Sequence, residues 1–417
     1  MKRTQVLPIA LSTVFALSAG ACSAPGSATD LSAGIKPRPV ASAPVNANFT
    51  NAVASFSVGL FQQVATGQDN YLVSPLSAEL ALAMAANGAG SATLDQMQQT
   101  LAPGLTIDQI NAILPAWAYG LPTSDGAKVY VANSVWCNKD SNIDIKQDFL
   151  QANADYYRAG TYSGPFDAGG VKDINAWVDK NTDGMIPSMV DKLDPTTAIV
   201  LLNALAFDAK WAAPYKEPDI MSGTFTNAAG QPETVDFMSS TEMTYLDDGL
   251  ARGFTKPYDS GQYDFVALLP DEGVTMADYL ASLSGDGWVE TLTRTENAVV
   301  ETKLPQFSFD YSTSLVDSLK ALGMTDAFGP AADFAKMGTG HAGPLENGLF
   351  LSDVRQKTFI DVTPVGTRAG AATAVYGAGA APPGPVEITL DRPFVFAIVD
   401  SATKLPLFMG VLNSVAP

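Results

Sequence analysis

One histidine, His341, and two cysteines, Cys22 and Cys137, are all that 417 residues hold of the commonest metal and redox ligands. A His-rich zinc site, a Cys-rich cluster or a scaffold of several disulfides cannot be assembled from them, so no metal and no cofactor is expected. A Ser-His-Asp hydrolase would rest on His341 alone. That residue lies in the Gly-rich turn Thr339-Gly340-His341-Ala342-Gly343-Pro344, and the chain contains no G-x-S-x-G elbow, which excludes this type of catalysis. Positive charge is also scarce: 24 Lys and Arg against 43 Asp and Glu leave a formal charge of −19, which repels phosphate backbones and excludes nucleic acid as a partner. With 47% hydrophobic and 16% charged residues the chain can bury a large core.

The amino end has its own chemistry. Residues 1–22 (MKRTQVLPIALSTVFALSAGAC) join a basic start, Lys2 and Arg3, to a short apolar run and then to small residues, the pattern of an export signal. The apolar run is too short to span a bilayer, which takes about 20 residues of helix. Ala19-Gly20-Ala21-Cys22 resembles a bacterial lipobox, with Ala19 where leucine is usual, and this implies acylation of Cys22 and a lipid anchor at the cell surface. Cys137 is then left without an intramolecular partner, and the exported domain folds without a disulfide. Residues 23–47, rich in Ser, Ala, Pro and Gly, predict a flexible tether, with the folded domain running from 48 to 417.

From Phe49 to Val64 the apolar residues recur at three- and four-residue steps, predicting an amphipathic helix ended by Gly67. Ser77 is read as the cap of a second helix that stops at Gly88, and Thr93 with Gln96 as a capping box for a third. Helices are also predicted around Ile174, Trp177 and Val178, and around Leu315, Val316, Leu319 and Leu322. Residues 128–136, 197–207, 298–304, 357–363, 386–390, 394–399 and 407–412 are short, rich in β-branched and aromatic residues and bounded by Gly, Pro or Asn, which predicts strands. Ala198-Ile199-Val200-Leu201-Leu202 is apolar on both faces, as in a strand covered on both sides. The class expected is α+β, one domain with helices packed on a large central mixed sheet.

Between two of those strands, residues 366–385 (GTRAGAATAVYGAGAAPPGP) form about twenty residues of Gly, Ala and Thr, long for a structureless loop in a compact domain. In an extended conformation Thr367, Ala369, Ala371, Thr373, Val375 and Gly377 would share one face, and Arg368 would point the other way with Tyr376. The first face carries no charge, which suits a segment that can slide between two strands, because an unpaired buried charge would be costly. Composition alone allows an inert surface loop equally well.

Several segments around this loop resemble the serpin family. They are Asn70-Tyr71-Leu72-Val73-Ser74-Pro75-Leu76-Ser77, Gly88-Ala89-Gly90-Ser91-Ala92-Thr93, Ile174-Asn175-Ala176-Trp177-Val178, Thr182-Asp183-Gly184-Met185-Ile186 and Asn203-Ala204-Leu205-Ala206-Phe207 with Trp211. Leu304-Pro305-Gln306-Phe307, Leu322-Gly323-Met324 through Phe328, and Asp391-Arg392-Pro393-Phe394-Val395-Phe396 through Leu407-Phe408-Met409-Gly410 complete the series, which spans the whole body.

The resemblance implies an irreversible suicide-substrate inhibitor. A serine protease cuts the exposed loop, stays covalently attached, and is dragged across as the loop inserts into the central sheet. By the same resemblance the hinge is Gly366, Thr367, Arg368, Ala369, Gly370, Ala371 and Ala372, and the reactive bond is Ala380-Ala381, or one near Pro382 when counted back from Pro393. Ala380 suits a shallow apolar pocket, as in an elastase-like or subtilisin-like protease. Trp211 is placed where the loop enters, and Ser74, Ser77, Asn203 and Gln356 in a hydrogen-bonded cluster under the sheet, with Gln356 standing where many members have histidine. Pro364-Val365 replace the acidic or polar residues that usually pin the root of the loop. No basic helix is present to bind glycosaminoglycan, and a monomer is expected. The alternative is a non-inhibitory member acting as a binding or carrier module.

Overall fold

The computed structural model describes residues 28–121, 123–124, 126–341, 348–367 and 385–416. In chain order the first third contains β1 (Thr29–Asp30), α1 (Ala47–Val64), β2 (Tyr71–Val73), α2 (Pro75–Ala86), α3 (Ser91–Leu101), α4 (Ile107–Ala118) and β3 (Ala127–Asn138). The middle contains β4 (Ile143–Ile145), α5 (Gln147–Tyr157), β5 (Gly160–Gly164), α6 (Ala168–Asn181), β6 (Ile199–Lys210), β7 (Ile220–Thr226), β8 (Pro232–Asp247), β9 (Ala251–Pro257) and β10 (Tyr263–Pro270). There follow α7 (Met276–Ser282), α8 (Gly285–Thr293), β11 (Glu296–Pro305), β12 (Phe307–Ser314), α9 (Val316–Ala321) and β13 (Gly338–Gly340). The carboxyl end adds β14 (Asp353–Val362), β15 (Gly366–Thr367), β16 (Val386–Thr389), β17 (Phe394–Asp400) and β18 (Pro406–Leu412).

The strands form a mixed seven-stranded sheet in the order β1-β5-β3-β6-β15-β14-β12 and a nine-stranded sheet in the order β16-β11-β8-β9-β10-β17-β18-β2, with β7 paired to β8. β6 is apolar on both faces because both are covered. Ile199, Leu201, Leu205 and Phe207 join the main core, whereas Val200, Leu202, Ala204 and Ala206 pack under Ile174 and Val178 of α6. α2 lies behind the same sheet with every residue buried, so it shows no amphipathic stripe. The α+β architecture with helices on a large mixed sheet is the one the sequence predicts.

Three local expectations differ from the structure. The cap of α2 is Ser74, whose side chain accepts from the Ser77 N–H. Thr93 and Gln96 make no capping box at the start of α3, whose cap is Gly90. Both side chains serve tertiary partners instead: Thr93 accepts from the Asp333 N–H, and Gln96 accepts from the amides of Thr325 and Asp326. The third difference is larger. Residues 28–46, expected as free tether, are docked on the domain: β1 pairs antiparallel with β5, Leu31 N–H donates to the Thr161 carbonyl, and Arg38 clamps Asp155 through its main-chain and side-chain nitrogens. β1 thus covers an edge strand of the large sheet, which would otherwise present free backbone groups.

Candidate functional site at the loop root

β6 and β14 run parallel and pair at one end only, where Asp353, Val354 and Arg355 oppose Val200, Leu201 and Leu202. At the other end the two-residue β15 stands between them, with Thr367 opposite both Val362 and Ala209 and Gly366 opposite Lys210. In between, residues 203–208 of β6 and 356–361 of β14 share no ladder. The sheet is therefore zipped at the bottom, holds the first residues of the hinge at the top, and is open along six residues of each strand. Thr367 is 3% exposed and faces the core side, as the alternation of the hinge predicts. Its Oγ1 lies 2.6 Å from the Tyr258 Oη.

An aromatic clamp holds the root of the loop. Trp211, which is buried, donates from Nε1 to the Thr363 carbonyl at 2.9 Å and from its main chain to the Val365 carbonyl at 3.0 Å. The Tyr215 N–H donates to the Pro364 carbonyl at 2.9 Å, and Thr363 closes the turn by donating from both N–H and hydroxyl to the Gly366 carbonyl. Trp211 stacks on Tyr258 with ring centroids 4.6 Å apart. The pins that Pro364-Val365 cannot supply as side chains are thus supplied by their carbonyls, a substitution that no side-chain pattern reveals.

Below the sheet, Gln356 of β14 grips the start of α2: its Oε1 accepts from the Ser74 N–H and its Nε2 donates to the Ser74 carbonyl, both at 2.8 Å. The Ser74 hydroxyl donates to the Leu407 carbonyl. Asn203 donates to Asn133 of β3 rather than joining this pair, and among the described residues the Ser77 hydroxyl has no hydrogen-bond partner. Of the four residues the resemblance groups here, the structure brings together Ser74, Gln356 and, through its main-chain N–H on the Ser74 hydroxyl, Ser77. Asn203 belongs instead to a second network, with Asn133 and Tyr119, and nearby Asn111 of α4 pairs with Asn87, the residue that caps the end of α2. On α2 the sequence reading missed one residue, Glu79. It is fully buried with neither carboxylate oxygen hydrogen-bonded among the described residues, and desolvation raises its pKa well above the ordinary carboxyl value. The signal for it was a lone acid inside an otherwise apolar helix.

Arg368, Ala369, Gly370, Ala371 and Ala372 of the hinge, the Ala380-Ala381 bond and Cys22 lie outside the described residues. His341 lies at the surface, its Nε2 2.8 Å from Oδ2 of the exposed Asp144. Asp391-Arg392-Pro393 ties the chain to neighbouring strands: the Asp391 carbonyl accepts from the Thr226 N–H, and Arg392 donates to the Pro270 carbonyl.

Comparison with known proteins agrees with this geometry. The family model "Serpin (serine protease inhibitor)" matches residues 51–415. Serpin-Z1C of Triticum aestivum is 31% identical over 360 residues, covering 82% of this chain and 89% of that one, and an uncharacterized serpin-like protein of Thermococcus kodakarensis is 31% identical over 372 residues, covering 86% and 84%. Among solved structures, the thermophilic serpin tengpin in its native state superimposes with a TM-score of 0.88 at 39% identity, covering 93% of this chain and all of that one. The same protein in its latent state gives 0.79 at 36% identity over 90% of this chain. Thyroxine-binding globulin with thyroxine, at 22% identity and a TM-score of 0.76 over 88% of this chain, shares the fold. A sheet split between β6 and β14, with the first residues of a long small-residue loop seated in the split, is carried by a chain that belongs to the serpin family, whose members are generally inhibitors of serine proteases rather than enzymes.

Proposed function

We propose that this protein is an irreversible suicide-substrate inhibitor of serine proteases with a small-residue preference, elastase-like or subtilisin-like. The observation that supports it most is the unladdered stretch between β6 and β14, headed by a hinge whose core-facing residue is Thr367. Continuing β15 down that stretch would give each added residue two strand neighbours, and so about twelve new ladder bonds at roughly 1 kcal/mol net each. One further step of the register opposes position 368 to Asp208 and Asp361, so Arg368 would meet two carboxylates on the outer face instead of being buried. The single charge of the hinge therefore favours insertion. Attack of the protease's serine hydroxyl on the Ala380 carbonyl would break the Ala380-Ala381 bond, release Ala381 as a new amino terminus and leave the serine esterified to Ala380 as the loop inserts. The proposal extends to location: export directed by residues 1–22, with a lipid on Cys22 holding the domain at the cell surface.

The test is incubation of the domain with neutrophil elastase and with subtilisin, followed by denaturing electrophoresis and mass spectrometry. A covalent adduct with a released peptide beginning at Ala381 is the expected result. Clean cleavage without adduct by both enzymes would turn the reading toward a carrier.

A further inference from the structure

The clamp at the loop root rests on a buried ion pair. Lys256 of β9 is 1% exposed, and its Nζ lies 2.7 Å from Oε1 of Glu242 on β8, itself 7% exposed. Glu242 also accepts from the Ser240 hydroxyl at 2.6 Å, and Ser240 in turn lies 3.0 Å from the Thr302 hydroxyl on β11. Two charges removed from water in this way are expensive, and the pair by itself is weak grounds for stability. Its position gives it another use. The Lys256 ammonium lies 4.4 Å from the centre of the Tyr215 ring and 5.6 Å from that of Trp211, the two residues whose main chains hold the Pro364 and Val365 carbonyls. On its other side is a polar cavity of about 580 Å³ lined by Tyr215, Ser239, Ser240, Glu242, Lys256 and Thr302. Tyr215 lines that cavity as well, its hydroxyl accepting from the Ser240 hydroxyl at 3.4 Å, so the ring carries the ammonium at one side of a polar wall.

We infer that Lys256, fixed by Glu242, is a positioning residue that holds the Trp211–Tyr215 clamp and so keeps the uncut loop from advancing past Thr367 into the split sheet. The inference rests on the insertion mechanism proposed above. Glu242 sets the ammonium, the ammonium holds the rings, Trp211 carries Tyr258 by stacking, and Tyr258 holds the Thr367 hydroxyl. A desolvated cation–π contact is worth enough to change an opening equilibrium by about tenfold or more.

Three variants of the full chain separate this role from plain packing: Lys256→Met, Lys256→Arg, and the double variant Lys256→Met with Glu242→Leu. The single Lys256→Met strands a buried carboxylate and is expected to lose Tm, which a structural role would also give. The double variant removes both charges, folds with a Tm close to that of wild type, and without any protease is expected to pass at least about tenfold faster at 37 °C into a heat-resistant form whose loop is no longer cut by subtilisin. Lys256→Arg keeps the cation over the rings and keeps the slow rate. A double variant that converts at the wild-type rate, or an Arg variant that converts as fast as the double, overturns the inference. Wild-type protein cut in the loop is measured alongside: if cutting does not raise its Tm, the insertion reading itself fails and this one with it. If cutting does raise it and the variants are indistinguishable from wild type, only the role of Lys256 falls.

Discussion

At the level of single residues, two side chains decide much of the behaviour of the split sheet. Thr367 already sits inward at 3% exposure against Tyr258 in the uncut chain, and position 369 is the next that alternation would turn to the same face on insertion, so Ala369→Arg would drive a guanidinium into the core only as the loop inserts. A buried unpaired charge costs several kcal/mol, and that variant is expected to be cut by its target at an undiminished rate while forming little or no covalent complex, read by the ratio of adduct to cleaved chain on a denaturing gel. Glu79 acts on stability instead. Burial raises its pKa in the folded state, so the folded chain keeps the proton that the unfolded chain gives up near the ordinary carboxyl value of about 4.3. Stability from this group is complete below that value and is lost as pH rises through the folded-state pKa. Glu79→Gln is therefore expected to melt at a higher temperature than wild type, with a gap that opens above the ordinary carboxyl value of about 4.3 and widens as pH rises toward the folded-state pKa, in a pH series of thermal scans. Glu79 could be picked out in the sequence as an acid among Leu and Ala. That no basic group among the described residues answers it required the fold, because the neighbours on β6, α4 and α5 come from distant parts of the chain.

Among the elements, the short strand β15 and the docked segment 28–46 matter most. Continued by one residue on the proposed insertion, the register of β15 would oppose position 368 to Asp208 and Asp361, so Arg368→Glu would then place three like charges in a row on the outer face. Partly exposed pairs are worth about 1 kcal/mol or less each. The expected result is a several-fold rise in the inhibitor needed per protease molecule, with no change in the rate of loop cleavage, measured by titration against a fixed amount of protease. The segment 28–46 covers the edge strand β5 and pairs Arg38 with Asp155. A chain begun at Pro44 exposes that edge, and it is expected to melt several degrees lower and to lose hydrogen-exchange protection at Thr161, whose amide now donates to the Ser32 hydroxyl. Composition read this segment as free chain because Ser, Ala and Pro supply no apolar period. Its order comes from backbone pairing with β5 and from one ion pair, and neither leaves a trace in periodicity. In the nine-stranded sheet β11, β16, β17 and β18 were legible from their runs of β-branched and aromatic residues, the last two being buried on both faces. β8 was missed because its sixteen residues alternate between exposed and buried and include many polar side chains.

Taken whole, the molecule keeps about six residues of sheet unladdered below β15, and the proposed mechanism fills them with the cut loop. Scission of the loop is therefore expected to stabilise it by something on the order of ten kcal/mol, and to raise Tm by roughly 10–15 °C in a thermal scan of cut against intact protein. The class of the fold, the family and the inward turn of Thr367 were all legible in the chain read as letters. These depend on residue types in local order: apolar periods, strand-bounding glycines and motifs read a few residues at a time. Three facts waited for the folded molecule: where the sheet is open, which carbonyls hold the loop, and that Lys256 lies beneath the clamp. Those facts depend on register and on which distant residues meet. Residues 200–202 pair with 353–355 while 203–208 do not pair with 356–361, and a lysine on β9 finds its glutamate on β8 and its aromatic neighbours after β6. Register is set by the packing of the whole core, so no local stretch of the chain contains it.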